Sequence, residues 1–579
     1  MPRLRLPTIL LAGAALTGVL AGCASEPAPT PVTPIAAQPT PDPGASPYGL
    51  FLAGQAARDA GQLGAAAVYL GRAAATAGEP TYVRVEAFDA ALRAGDVPGA
   101  AALSPAADDP NLAARRLGAL VRGVEAMANG KYQDAYALLS GPDVGFPHKG
   151  IAQLLAPFAA AGAGDALHAT ARPDMGGDGV GQFVADLDRA LLDERLGKQG
   201  DADAAYKALL NDGDESGLVT VSYGAFLERR GRWKDAETLY RGRLAHDADN
   251  QPIVDALARA SKHGRPPPLA TIRQGASEAM LIPAAGLIAQ KQDGYGLDYL
   301  RLALRLDPGD SEAWILVGDL LIGPDPDAAR FAYAQVEPGS DRYVSARGKL
   351  AWTYQNAGEH DAALKIARDT AAAAPQSREA AASLADLLRA NAQYTESAEV
   401  LTRLIDASGP KTDWRLYYLR ATAYQQIGDA GRTEADLQTA LKLDPDEPEL
   451  LNFQAYFWVD RGEHLQEALA MVKRAVAASP QSGEMIDSLG WAYYRLGDFP
   501  NAVARLEQAI AIDPGIAEVN DHLGDAYWRV GRKTEAQFQW RRVLSLNPND
   551  KLRARATAKL ASPLGPDAPS APTPGLIAQ

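Results

Sequence analysis

The stretch SLGWAYYRLG at residues 488–497 returns 34 residues later as HLGDAYWRVG at residues 522–531. Both copies have an amphipathic helical pattern with a glycine in the same place, Gly490 or Gly524. A residue without a side chain there allows a second helix to approach closely. Gly497 and Gly531 then end the first helix and open a tight turn. The spacing therefore predicts a repeated unit of two packed helices.

The second helix of each unit ends at a proline, Pro514 or Pro548, because proline cannot continue a helix. The same period extends upstream through Tyr424, Gly428 and Pro445. Across residues 311–553 this is the pattern of the tetratricopeptide repeat, and weaker copies occur at Gly54, Gly123 and Gly224. We therefore expect an all-α, right-handed superhelix, an α-solenoid of roughly twelve to fourteen helix pairs, with almost no sheet.

Two composition changes divide the chain. Residues 263–276 contain Pro266-Pro267-Pro268, which predicts a break between a divergent N-terminal array at 48–262 and a C-terminal array at 277–553. Residues 554–579 are rich in proline and alanine, which predicts a disordered tail.

The first 23 residues have the order of a secretory signal: basic residues, an apolar run, and then Leu20-Ala21-Gly22-Cys23. The last four resemble the lipobox of bacterial lipoproteins, which implies lipidation of Cys23. An ordinary signal peptide with a coincidental cysteine is the alternative. The proline-rich residues 24–47 would then tether the protein to the membrane. The neutral Ala24 implies, by the same resemblance, retention on the periplasmic face of the outer membrane.

Composition excludes several other classes. Lysine and arginine total 57 against 71 aspartates and glutamates, and the resulting net charge of −14 argues against nucleic-acid binding. A single cysteine excludes an intrachain disulfide and a multi-cysteine zinc site. We find no catalytic or metal-binding motif, so we expect no enzyme activity, metal or cofactor. Asp521, His522 and Asp525 cluster on one helix, which we interpret as a solvated face rather than a metal or acid–base site.

Resemblance to tetratricopeptide proteins implies that positions 2, 5, 9 and 12 of the first helix of each pair line a partner-binding groove. Those positions select Arg415, Tyr418, Gln425, Asn452, Tyr456, Asp487, Trp491, Tyr494, Asp521, Asp525 and Trp528. Such an aromatic and acidic groove would suit a basic or apolar extended segment. The alternative is that several of the aromatic residues simply pack between neighbouring repeats.

The stretches 413–418, 459–463, 487–491 and 520–528 also resemble a narrower group, the multi-repeat lipoproteins of proteobacteria. They are similar to the outer-membrane lipoprotein that serves as adaptor for a periplasmic carboxy-terminal processing protease. This resemblance implies a scaffold for protein partners, among them a protease and cell-wall hydrolases. Two alternatives stay open: an accessory subunit of an outer-membrane assembly, pilus or polysaccharide-export machine, and an enzyme with its site within residues 48–215.

Overall fold

The computed structural model describes residues 44–76, 80–106, 108–213, 217–248, 250–409 and 412–563. Within these ranges the regular structure is entirely helical, with 30 helices and no strand. The predicted signal segment, Cys23, most of the proline-rich linker and the end of the tail lie outside them. The all-α solenoid of helix pairs expected from the 34-residue period is confirmed.

Contacts divide the chain into two compact units, residues 1–358 and 359–579. The helices of the first, unit 1, are α1 (Pro47–Asp59), α2 (Leu63–Ala74), α3 (Thr81–Ala94), α4 (Val97–Leu103), α5 (Leu112–Ala128), α6 (Tyr132–Leu139), α7 (Lys149–Gly162), α8 (Ala166–Ala169), α9 (Gly179–Arg195), α10 (Gln199–Asp212), α11 (Leu218–Arg229), α12 (Trp233–Leu244), α13 (Gln251–Ser261), α14 (Ile272–Ala289), α15 (Asp293–Leu306), α16 (Ser311–Leu321), α17 (Pro326–Ala334) and α18 (Tyr343–Asn356).

The helices of the second, unit 2, are α19 (His360–Ala373), α20 (Arg378–Ala390), α21 (Tyr394–Ser408), α22 (Trp414–Gln426), α23 (Ala430–Leu443), α24 (Pro448–Arg461), α25 (Leu465–Ala478), α26 (Gly483–Arg495), α27 (Phe499–Ile512), α28 (Ala517–Arg529), α29 (Lys533–Ser545) and α30 (Asp550–Ala561).

The two helices of a pair are held in close contact at the glycine that the sequence repeats. A Cβ atom built on Gly490 would lie 2.6 Å from Leu506 Cγ, and one on Gly524 would lie 2.5 Å from Trp540 Nε1. Both distances are too short for a real contact, so any larger residue would push the second helix away. The repeated glycine therefore has the packing role that its position predicted.

Unit 1 departs from a simple linear stack, because α14 and α15 pack on helices far earlier in the chain. α14 contacts α7 and α9, and α15 contacts α3, α4 and α5. Every residue of α15 from Gly296 to Leu306 is buried. The proline-rich break, expected to separate two arrays, falls between α13 and α14, whereas the two compact units divide after Gly358. The helices α14 and α15, which follow the break, belong to unit 1 because they pack on its earlier helices.

The segment that composition predicts to be a disordered tail, residues 554–579, is helical in its first part. Residues 554–561 form the last two turns of α30, whose N-cap Asn549 accepts a hydrogen bond from the Leu552 amide at 2.9 Å. Leu552 and Ala556 are buried against α29 together with Val543. Alanine, arginine and lysine are strong helix formers, and here they supply one more helix that covers the end of the array.

Candidate functional site

The predicted groove residues lie on the first helices of four consecutive pairs, α22, α24, α26 and α28. Within each helix they are spaced three or four positions apart and therefore share one face. We call these four faces together the groove face. Its N-terminal part is accessible, whereas its C-terminal part is closely packed.

On α22, Arg415 and Tyr418 remain accessible. The Arg415 guanidinium lies 4.7 Å from the ring centroid of Trp414 and 3.2 Å from Asp413 Oδ2, and its side chain is 65% exposed. Tyr418 is half-buried, with its ring edge against Phe453 at a centroid distance of 5.5 Å. These two side chains form an accessible cationic and aromatic surface at the start of the groove face.

On α24, Asn452 and Tyr456 are buried, with 3% and 4% of their surface exposed. The Oδ1 atom of Asn452 has no hydrogen-bond partner among the described residues. An unpaired buried polar atom costs about 1–3 kcal/mol, so natural proteins rarely keep one without a reason.

On α26, Trp491 lies between two flat side chains. Its ring stacks on Tyr494 at 4.7 Å and on His522 at 4.1 Å. His522 Nδ1 is 3.0 Å from both carboxylate oxygens of Asp487, and Tyr494 Oη accepts a hydrogen bond of 3.2 Å from Arg529 Nε. The Nε1–H of Trp491 has no partner among the described residues. These side chains pack between repeats, as the alternative interpretation of the aromatic residues proposed.

On α28, Asp521 and Asp525 are fully buried and are neutralised by α30. Lys559 Nζ lies 2.8 Å from Asp521 Oδ2 and 2.7 Å from Asp525 Oδ1, and Arg555 Nη2 lies 2.7 Å from Asp521 Oδ2. Trp540 Nε1 also donates to Asp525 Oδ1 at 3.1 Å. The interpretation of the 521–525 cluster as a solvated face is therefore wrong, because α30 covers it.

The environments of these two carboxylates differ. Burial alone would raise the pKa of Asp521, but Lys559 and Arg555 outweigh it and hold that pKa below its usual value. Burial raises the pKa of Asp525 and outweighs the opposing effect of Lys559. The negative charge of Asp521 raises this pKa further. Trp528 is half-buried, and Lys533 Nζ lies 3.6 Å from its ring centroid.

The accessible acidic groups of the groove face are ones that the sequence interpretation missed. Glu449, Glu484 and Glu518 occupy position 2 of α24, α26 and α28, where α22 has Arg415. The first two are exposed and the third is half-buried. Among the described residues none of the three forms an ion pair. Applying position 2 to every repeat, rather than to one, would have identified them.

The charges of neighbouring carboxylates act on Glu484. Partial loss of hydration raises the pKa of Glu484, and the negative charges of Asp487 and Glu449 raise it further. Burial, followed by the charges of Glu449 and Glu484, likewise raises the pKa of Tyr418. We call Glu449, Glu484 and Glu518 the rim glutamates.

Two other kinds of site, a metal centre and a membrane-spanning helix, have no counterpart in the part of the chain that the structure covers. No group of three or more histidine, cysteine, aspartate or glutamate side chains there could hold a metal ion. Nor does any helix among those residues have the length and apolar character needed to cross a bilayer. The proposed lipidation site Cys23 lies outside them.

Comparisons with known proteins agree with the repeat pattern. Residues 382–549 match one family model of the tetratricopeptide repeat, and residues 349–411 match another. The TPR repeat-containing protein PA4667 of Pseudomonas aeruginosa is 30% identical over 90 residues, which span 16% of this chain and 15% of that relative.

Solved structures with similar helices include the Cut9–Hcn1 hetero-tetramer of the APC/C, 14% identical, with a TM-score of 0.37 over 90% of this chain and 97% of that one. MamA of Desulfovibrio magneticus RS-1 is 22% identical, with a TM-score of 0.24 over 28% of this chain and 94% of that one. Tetratricopeptide repeats typically form non-catalytic scaffolds that mediate binding between proteins. Residues 349–549 of this chain are a tetratricopeptide repeat array.

Proposed function

We propose that this protein is a membrane-anchored scaffold that binds other proteins through the groove face of unit 2. The observation that carries the proposal is a row of accessible groups within the repeat array, formed by Arg415, Tyr418, Glu449 and Glu484 on three successive first helices. Successive repeats place such groups along one continuous surface, which suits an extended partner segment.

The anchor and the location rest on the N-terminal sequence. A lipid on Cys23 would hold the protein at the periplasmic face of the outer membrane, with the proline-rich residues 24–47 as a spacer. Stable anchoring requires more than one acyl chain, because each buried methylene contributes only about 0.8 kcal/mol.

The partners that we propose follow from the resemblance to the adaptor lipoproteins: a periplasmic processing protease and the cell-wall hydrolases that it degrades. Such an adaptor needs no catalytic group of its own, because it acts by holding two proteins close together.

A pull-down with the full chain tests the scaffold. The bait is compared with the double variant Arg415→Ala, Tyr418→Ala, and with a matched control, Phe538→Ala, Arg541→Ala, which removes an exposed aromatic and an exposed arginine from α29. We expect mass spectrometry of envelope extracts to show a protein partner that the groove variant loses and the control keeps. Recovery of no stoichiometric partner would contradict the scaffold. A fixed envelope complex retained by both variants would instead support a machine subunit.

The anchor is tested with Cys23→Ser. Because Cys23 is the single cysteine, all thiol-linked lipid must be lost in this variant. We expect the wild type to incorporate a labelled fatty acid and to fractionate with membranes, and the variant to do neither. Membrane association that persists without label would overturn lipidation as the anchor.

A further inference from the structure

We infer that the segment bound by the groove face is extended and basic, with lysine or arginine at about every third residue. This inference rests on the proposed function, because it specifies the partner of the same surface. It depends on which charges of the groove face are already satisfied and which are left for a partner.

The buried carboxylates of the groove face have partners inside the protein. Asp487 faces His522, and Asp521 and Asp525 face Lys559 of α30. They are therefore not available to an external cation. Their pairing nevertheless shows, within this protein, that lysine and arginine side chains fit between the carboxylates of this surface.

The rim glutamates are in the opposite situation. Glu449 and Glu484 are exposed, form no ion pair among the described residues, and occupy the same position of α24 and α26, two helices that contact each other. Their mutual repulsion is relieved when cations approach, so the rim favours a partner with positive charges.

Two buried polar atoms indicate that the partner also contributes its backbone. Asn452 follows Glu449 by three positions, and Trp491 follows Glu484 by seven, so each lies on the same helix face as its rim glutamate. Within the described ranges, Asn452 Oδ1 is an acceptor without a donor, and Trp491 Nε1 is a donor without an acceptor. The backbone of an extended segment offers N–H donors and C=O acceptors, the two kinds of group that these atoms lack.

The spacing of the helices that carry the rim glutamates suggests the conformation of the bound segment. Packed helices lie about 8–10 Å apart, and α24 contacts α26 directly. A polyproline II segment advances about 3.1 Å per residue and returns to the same side every third residue, or about 9.3 Å. It also leaves its backbone groups free. Basic side chains three residues apart on such a segment would therefore meet successive rim glutamates, and Tyr418 could contact the prolines.

Fluorescence anisotropy with a labelled synthetic peptide of repeated Arg-Pro-Pro tests this inference. The comparison peptides are repeated Glu-Pro-Pro and a peptide of the same composition as the first with its arginines grouped at one end. The rim variant is Glu449→Gln, Glu484→Gln in the full chain. The matched control is Glu399→Gln, Glu467→Gln, which removes the same charge from exposed positions of α21 and α25.

We expect the regularly spaced arginine peptide to bind best, and the rim variant to weaken it about fivefold, as for two exposed charge pairs. The control should change binding by less than about twofold, since distant exposed charges are screened. Equal weakening in both variants, or equal binding of the grouped peptide, would overturn the inference. If extracts still yield a partner that Arg415→Ala, Tyr418→Ala loses while the arginine peptide does not bind, only the charge class is wrong. If both experiments fail, the groove face is not a docking surface.

Discussion

The two units use the inner side of their helix pairs in different ways. In unit 1 the helices α14 and α15 lie against α3, α4, α5, α7 and α9, and α15 is buried from Gly296 to Leu306. In unit 2, α30 covers Asp521 and Asp525 of α28, while α22 and the rim glutamates of the pairs that follow it remain accessible. A repeat architecture thus provides a filled, structural unit and a unit with a free surface in one chain.

The contacts of α15 explain why it is a fixed part of unit 1. Arg305 Nε lies 2.8 Å from Glu125 Oε2, and Arg301 Nε donates to the Arg93 carbonyl at 3.0 Å. His148 Nδ1 lies 2.9 Å from the hydroxyl of Tyr299. Polar groups buried with partners specify one arrangement, because any displacement would leave them unpaired. These contacts therefore hold α15 in one position against the earlier helices of unit 1.

The largest effect is expected where α30 covers unit 2. Lys559→Met removes the cation between Asp521 and Asp525 and leaves at least Asp525 buried without one. Breaking a buried ion pair in this way costs about 3–5 kcal/mol. Calorimetry should show destabilisation of unit 2 by about that amount.

The control for this experiment is Lys551→Met, an exposed lysine of the same helix. It should change the free energy of unfolding by less than about 0.5 kcal/mol. If Lys559→Met lowered the free energy of unfolding as little as Lys551→Met, α30 would not be packed stably on α28. The contrast between a covered and an open part of unit 2 would then be wrong.

A cavity in α15 tests the filled state of unit 1. Leu302 is fully buried, so Leu302→Ala should lower stability by about 2–4 kcal/mol through lost burial and the cavity left behind. Leu112→Ala, at a leucine of unit 1 that is 46% exposed, should have little effect. Urea denaturation measures both. Similar small changes in the two variants would mean that α15 is not held against the earlier helices in solution.

The sequence predicted the structural features that recur at a fixed spacing and missed the contacts that have no such spacing. Gly490 and Gly524 recur at a fixed spacing, so helix pairing and the all-α solenoid could be predicted from local pattern alone. The contact of Arg301 with Arg93 joins residues 208 positions apart and leaves no periodic signal. The burial of Asp521 was also missed. It depends on Lys559, and the composition of the residues around Lys559 predicted a disordered tail rather than a helix. The rim glutamates could have been found by applying the repeat register consistently.

A smaller effect depends on pH and concerns unit 1. Burial raises the pKa of Asp298 to about 7, although Arg93 at 3.7 Å opposes this, and Asp89 beside Arg93 adds to the rise. Because the folded-state pKa is above the unfolded value, the favourable contribution is complete below about pH 4 and is lost as the pH rises to about 7. Asp298→Asn lacks this loss, so its stability relative to wild type should increase by about 2 kcal/mol between pH 5.5 and pH 8. The exposed Asp59→Asn is the matched control. A constant difference for Asp298→Asn across this range would contradict the buried carboxylate.

The smallest effect separates stability from binding on the groove face. Asn452→Leu introduces an apolar side chain of similar size in place of a buried amide. The Oδ1 atom of that amide has no hydrogen-bond partner among the described residues. Removing an unsatisfied polar atom should raise the stability of unit 2 by about 1 kcal/mol, while binding of the Arg-Pro-Pro peptide should weaken because a backbone N–H loses its acceptor. Thermal unfolding and anisotropy on the same preparation measure the two changes. Opposite signs are the expected result, because unit 2 would then keep a buried polar atom that lowers its stability in order to bind a partner. If stability and affinity fell together, Asn452 would be a packing residue, and the free surface of unit 2 would be confined to its rim.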